Sequence, residues 1–172
     1  TKYGDSNGFQ AGSTFKMFTA AAAIEDGIST GRRYSSPQTM SFATGAFKDC
    51  DGNGSSPWQG LKNSTGSGSF DMVRALRQSV NTYFAQLEKE VGLCKTVKMA
   101  KKMGIPVVEP DLENGQPGSY IPSFTLGPVD VSPLHMAAAY ATPAAGGEYC
   151  TPAPVAEVLD RNGKTIKKYE PE

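Results

Sequence analysis

The sequence predicts the α-rich lobe of an α+β fold, and three observations carry that prediction. Four stretches show helical spacing with defined starts or stops. Strand signals are sparse, with one clear hairpin signal near the end of the chain. A long run rich in Gly, Ser and Pro separates the first helical stretch from the second.

Residues 13–26 read as a helix. Ser13 is a good N-cap, alanines fill the middle, and Gly27 stops the helix. From 29 to 69, Gly, Ser, Pro and Asn recur around short apolar pieces such as MSFATGAF. This predicts an irregular, loop-rich insertion holding a short strand at most. In 70–91, Val73, Leu76, Val80, Phe84, Leu87 and Val91 recur at helical spacing, and Gly92 ends the run. A short helix follows at 94–103, with Gly104 and Pro106 behind it. Residues 105–130 form a long loop containing NGQPGS. Residues 132–145 form a helix capped by Ser132 with Pro133 in its first turn, and Pro143 ends or kinks it. Two extended runs around Asn162-Gly163 predict a hairpin.

At 172 residues the chain fits one domain and can bury a core without staples. Basic and acidic residues balance at a formal net charge of zero, which gives no support for a nucleic-acid partner. No apolar stretch approaches the ~20 residues of a membrane span. No signal peptide is visible, so the chain reads as mature, trimmed or excerpted. Cys50, Cys94 and Cys150 lie in no Cys-x-x-Cys pair or Cys/His cluster, so neither a metal nor a cofactor is expected. Three cysteines permit one disulfide and a spare thiol, or none.

The chemistry starts at GSTFK, residues 12–16. Ser13 and Lys16, three apart, share a helix face. A helix N-terminus favours negative charge, and a partly desolvated lysine one turn on can act as base. The plain alternative is a capped helix with a solvated lysine. Ser79 and Asn81, two apart, can face one cleft. The hydroxyl can relay a proton and the amide can hold a substrate backbone. Alone, such a pair is two polar residues on a turn.

Taken together, GSTFKMFTAAAAIEDG, ALRQSVNTYFAQLEKEVG and TLGPVDVSPLHMAAAYATPAAGGEYCTP resemble the penicillin-binding proteins, the serine transpeptidases that cross-link peptidoglycan. The resemblance runs from about Phe9 to Pro154, and ALRQSVNTYF looks most like the class A, actinobacterial type. It implies a penicillin-binding/β-lactamase-like fold, with 1–172 a partial transpeptidase domain. It also implies a break in 70–91 near Ser79. Ser13 is then the acylated nucleophile, Lys16 its base, and Ser79 the proton relay to the leaving group. Asn81 contacts the substrate amide and braces Lys16. The substrate is a stem peptide ending in D-alanyl-D-alanine, and β-lactams acylate the same serine. The Ser13 N–H forms half of an oxyanion hole. Trp58 either lines the cleft or packs half-buried in its loop, and Phe124, Thr125 and Leu126 are placed at the border of the peptide groove ahead of Gly127-Pro128. The setting is extracytoplasmic, at the outer face of the membrane or in the cell wall.

The family's third motif, K-[ST]-G on an edge strand, does not occur. Lys95-Thr96-Val97 and Lys164-Thr165-Ile166 both lack the glycine. Most of the antiparallel sheet is therefore expected from another chain, with this chain almost inactive alone. Two rivals stand beside the transpeptidase. Glu109–Asn114, EPDLEN, looks like the class A β-lactamase loop with one residue inserted, which points to a hydrolase. A non-catalytic binding or regulatory half-domain is the other. His135 is expected to be a surface or packing residue, since this mechanism needs no histidine. Lys95, Lys98, Lys101 and Lys102 are expected to form a solvated basic face. Export favours a disulfide, and Cys94 with Cys150 is the favoured pair, leaving Cys50 free.

Overall fold

A computed structural model describes residues 8–106, 120–153 and 155–169. The helices are α1 (Lys16–Glu25), α2 (Met72–Arg77), α3 (Asn81–Val91), α4 (Leu93–Lys102) and α5 (Pro133–Ala144). Two 3-10 turns, Gly12–Phe15 and Phe124–Leu126, flank the start of α1. The strands are β1 (Phe9–Gln10), β2 (Tyr34–Ser36), β3 (Thr39–Phe42), β4 (Trp58–Lys62), β5 (Gly68–Phe70), β6 (Asp130–Val131), β7 (Glu157–Leu159) and β8 (Thr165–Lys168). They pair antiparallel as β1–β6, β2–β5, β3–β4 and β7–β8, and no larger sheet forms among the described residues. The helix-rich, sheet-poor expectation holds, as does the hairpin around Asn162-Gly163.

α1 sits at the centre because it is apolar on most sides. Phe18, Thr19, Ala20, Ala22 and Ala23 are all buried, and α3 and α4 pack on it. Its small side chains let those helices approach closely. Phe15 joins this core, with the Phe18 and Phe124 rings edge-on at 5.1 Å each. α4 buries Leu93, Val97 and Ala100 and turns its lysines outward. Those lysines are not all merely solvated: Lys95 pairs with Asp26 and Lys102 with Glu25. The predicted cap of α5 is present, with Ser132 Oγ accepting from the His135 N–H at 3.2 Å. Ser132 Oγ also meets His135 Nδ1 at 3.0 Å, on a half-buried ring. Pro143 lies within the last turn of α5 instead of ending it.

Three expectations need correction. First, Ser13 is not an N-cap. It lies inside a 3-10 turn and caps no backbone N–H, and α1 begins only at Lys16. Second, 29–69 is not irregular loop. Residues 34–42 and 58–70 form two nested ribbons, β2–β5 outside and β3–β4 inside. The Phe42, Phe47 and Trp58 rings pack together within the inner one. The short strands and their Gly/Ser content hide this pairing from local sequence patterns. Third, the disulfide joins Cys50 to Cys94, and Cys150 is the free, exposed thiol. Cys94 lies in the first turn of α4, whereas the ring of Tyr149 lies against Gly104, just past its other end. Ten helical residues span ~15 Å, far beyond the ~7 Å reach of a disulfide.

The nested ribbons break between Ser36 and Thr39 on one side and Lys62 and Gly68 on the other, and Asn63 fills the break. Its amide nitrogen lies within hydrogen-bond distance of three acceptors that share its two protons: the carbonyls of Pro37 (3.1 Å) and Gly66 (2.7 Å) and Thr82 Oγ1 (2.9 Å). Its Oδ1 accepts the Thr82 N–H at 2.8 Å. The residue preceding α3 is Val80, which has no side-chain oxygen. Asn63 therefore does from 19 residues away what a local N-cap does elsewhere. Asn63→Ala is expected to cost about 2–4 kcal/mol, from several lost bonds and the buried groups left unsatisfied. Urea denaturation checks this. A loss under 1 kcal/mol would remove Asn63 as the organiser of this junction.

Candidate active site

Lys16 is fully buried beneath Ser13, which is exposed at the surface. Its Nζ lies 3.0 Å from Ser13 Oγ, 2.8 Å from Ser79 Oγ, 2.9 Å from the Ser79 carbonyl oxygen and 2.6 Å from Asn81 Oδ1. The four predicted catalytic residues thus converge on one nitrogen, although 63 and 65 residues separate Lys16 from Ser79 and Asn81. Among the described residues, no carboxylate pairs with this lysine. Burial alone holds its pKa down, at about 8. An ammonium has three protons for these four oxygens, so one contact is always shared. A neutral amine donates two and offers its lone pair to a hydroxyl proton. The site accommodates both states, as a base must.

Each element places one member. Because Ser13 caps nothing, its Oγ is free to meet Lys16 across one turn. Gly12 precedes it at φ 61, and its N–H bonds the Gly127 carbonyl at 2.9 Å. Gly127, at φ 63, is equally constrained: a Cβ there would lie 2.2 Å from the Gly12 oxygen. Asn81 is the first residue of α3. Its Nδ2 donates to the Lys62 carbonyl at 2.8 Å, which orients Oδ1 toward Lys16. The insertion at 29–69 therefore does site work, since β4 aims Asn81 and Asn63 holds the next residue.

Ser79 follows α2 with φ 53, the one non-glycine in the left-handed region among the described residues. The Ser79 N–H bonds the Leu76 carbonyl (3.1 Å), and the Val80 N–H bonds that of Ala75 (2.9 Å). That double closure is a Schellman motif, whose left-handed position ordinarily takes glycine. Serine here costs about 1 kcal/mol of backbone strain and delivers a hydroxyl to Lys16. Ser79→Gly is expected to stabilise the fold by roughly 0.5–1 kcal/mol while slowing acylation of Ser13 by about 10²-fold or more. Thermal denaturation and a penicillin-binding assay on one preparation check both halves.

The expected substrate contacts fare differently. Trp58 is half-buried against Phe42 and Phe47 at the far end of β4 from Lys62. Phe124 and Thr125 are fully buried and do not border an open groove. Phe124 supports Phe15, and the Thr125 hydroxyl meets that of Thr19 at 2.6 Å. Both pack beneath the Ser13 turn. Asn63 escaped sequence reasoning; the one hint was Val80 standing where α3 needs a capping oxygen. Glu109–Asn114 lie outside the described residues. No His, Cys, Asp and Glu cluster suited to a metal occurs among the described residues. No helix there is long and apolar enough to cross a membrane.

Relatives include penicillin-binding protein 1A of Mycobacterium tuberculosis, 32% identical over 92% of this chain and 19% of that protein. Penicillin-binding protein 1A of Rickettsia felis is 33% identical over 91% of this chain and 18% of its own length. The chain thus spans about a fifth of these relatives. Among solved structures, the M. tuberculosis penicillin-binding protein PonA1 superposes with a TM-score of 0.71 at 31% identity, over 94% of this chain and 40% of that one. Penicillin-binding protein A of M. tuberculosis, seen as a ceftriaxone acyl-enzyme, shares the fold at a TM-score of 0.74 and 23% identity, over 100% of this chain and 40% of that one. The penicillin binding protein transpeptidase domain profile matches residues 5–172, and the chain belongs to that family.

Proposed function

We propose that this chain carries the nucleophile half of a D,D-transpeptidase site that cross-links peptidoglycan by serine acyl transfer. The supporting observation is the convergence of Ser13, Ser79 and Asn81 on the buried amine of Lys16. Neutral Lys16 accepts the Ser13 Oγ proton as that oxygen attacks the penultimate D-alanyl carbonyl of a stem peptide. The Ser13 N–H donates to the developing oxyanion. Collapse breaks the peptide bond. The proton on Lys16 passes through Ser79 Oγ to the departing amine of the terminal D-alanine. A neighbouring stem-peptide amine then attacks the acyl-Ser13 ester, gives its proton back along the same path, and regenerates free Ser13. In a β-lactam the leaving nitrogen stays tethered to the acyl group, so the ester persists.

A complementary segment bearing strands and K-[ST]-G completes this site by clamping the substrate carboxylate and adding the second oxyanion donor. Exposed apolar side chains on α5 (Leu134, Tyr140) and on the β7–β8 ribbon (Val158, Leu159, Ile166) are available for it to cover. The Cys50–Cys94 bond fits an extracytoplasmic setting. Intact-protein mass spectrometry with a labelled penicillin tests the reading, with the complementary segment supplied and withheld. The expected result is one penicilloyl adduct, only with the segment present and lost in Ser13→Ala. Rapid turnover of the adduct would instead indicate a β-lactamase. No adduct in either condition would leave a binding or regulatory half-domain.

A further inference from the structure

Glu88 is fully buried in α3, yet no step of the chemistry above uses it. It lies seven residues after Asn81, two helical turns along the same face. One carboxyl oxygen accepts the Thr125 N–H at 3.0 Å, and the other has no hydrogen-bond partner among the described residues. Among the described residues no cation pairs with the group, and burial raises its pKa well above the usual carboxylate range. An apolar side chain would fit this core at lower cost, which makes the single bond it forms informative.

That bond holds the 3-10 turn Phe124–Leu126. The turn runs directly into Gly127, whose carbonyl accepts the Gly12 N–H at 2.9 Å. Gly12 is the residue before the nucleophile. Val129 repeats the tie, its carbonyl accepting the Ala11 N–H at 3.2 Å. Phe124 lies against Phe15 from below, and Thr125 bonds Thr19 of α1. α3 therefore reaches the reacting pair from two sides. Asn81 fixes Lys16 directly, and Glu88 fixes the shelf that carries Ser13.

We infer that Glu88 is a positioning residue: through Thr125 and the Gly127–Gly12 contact, its carboxyl sets the Ser13 turn over Lys16. This rests on the transpeptidase reading for its catalytic consequence, but the placement itself is testable without activity.

The test compares wild type, Glu88→Gln and Glu88→Leu. Gln keeps a carbonyl oxygen for the Thr125 N–H, whereas Leu fills the space and leaves that donor unpaired. Two quantities are read. Amide hydrogen exchange at Gly12 and Thr125 is measured on this chain, with Ala100 in α4 as an internal standard for global stability. The acylation rate by a fluorescent penicillin is measured with the complementary segment present. Glu88→Leu is expected to speed exchange at Gly12 and Thr125 about tenfold relative to Ala100. It should slow acylation by a similar factor while leaving the affinity of the initial complex unchanged, and Glu88→Gln should restore both. Unchanged Gly12 exchange in Glu88→Leu overturns the inference whatever the acylation rate. Faster Gly12 exchange with wild-type acylation reduces Glu88 to a structural residue and also overturns it. If wild type itself fails to acylate, the transpeptidase reading fails, and the Gly12 exchange alone decides whether Glu88 places the turn.

Discussion

Lys16→Met is expected to lower acylation of Ser13 by about 10³-fold, the usual worth of a positioned general base. It is also expected to change how stability depends on pH. In the folded chain burial brings the Lys16 pKa down to about 8, against 10.5 for an ordinary lysine. Between those values the unfolded chain holds a proton that the folded chain has released. Wild-type stability must therefore rise with pH across that window, by an amount on the order of 3 kcal/mol. Below pH 8 both states are protonated, and the full cost of the buried ammonium is present. Lys16→Met removes the titration and should flatten the rise. Urea denaturation at pH 7.5, 8.5 and 9.5 separates the cases. The upper limit matters because burial raises the Tyr34 hydroxyl to about 12, and Tyr83 is raised further still. Above pH ~10 those folded phenols keep protons that unfolded ones lose, and stability falls again. An identical slope in wild type and Lys16→Met would mean that Lys16 is not the desolvated base. The acylation rate of wild type should climb as pH rises toward 8 and level off above it, as folded Lys16 loses its proton.

Cutting the Cys50–Cys94 bond is the second large effect. The bond spans 44 residues, tying the turn at 48–54 to the first turn of α4. A loop of that length lowers the entropy of the unfolded chain enough to stabilise the fold by about 4 kcal/mol. Cys94→Ser should therefore lower Tm by roughly 12 °C in a chain of this size. Wild type under reductant should match it. Cys150→Ser, at an exposed free thiol, should change stability by less than about 0.5 kcal/mol. If Cys150→Ser proved the damaging change, the pairing would be wrong.

These two effects also mark what the sequence could and could not reveal. Ser13, Lys16, Ser79 and Asn81 were legible because their spacing and wording match a family pattern. Helices α1, α4 and α5 were legible because period and stop signals are local. The disulfide partner was not, since it depends on where a Gly-rich turn docks against α4. Asn63 was invisible for the same reason: its bonds reach Pro37 and Thr82, and nothing near it announces them. Phe124 and Thr125 were misplaced at the groove because a motif's neighbours in sequence need not share its surface. At Ser13 the local geometry departs from the expectation. A capping serine spends its oxygen on a backbone N–H, whereas this one keeps it for Lys16.

The distant cap on α3 has a consequence for the order in which the molecule assembles. A helix with valine ahead of its first turn cannot define its own beginning. As a free peptide, 79–91 would fray at the end that carries Asn81. That end becomes fixed only when the ribbons around Asn63 have closed across the 26 residues back to Pro37 and the 19 forward to Thr82. Closing such separations belongs to the late, non-local part of folding. The catalytic end of α3 should thus be among the last structure to form, so that a competent site reports a completed fold.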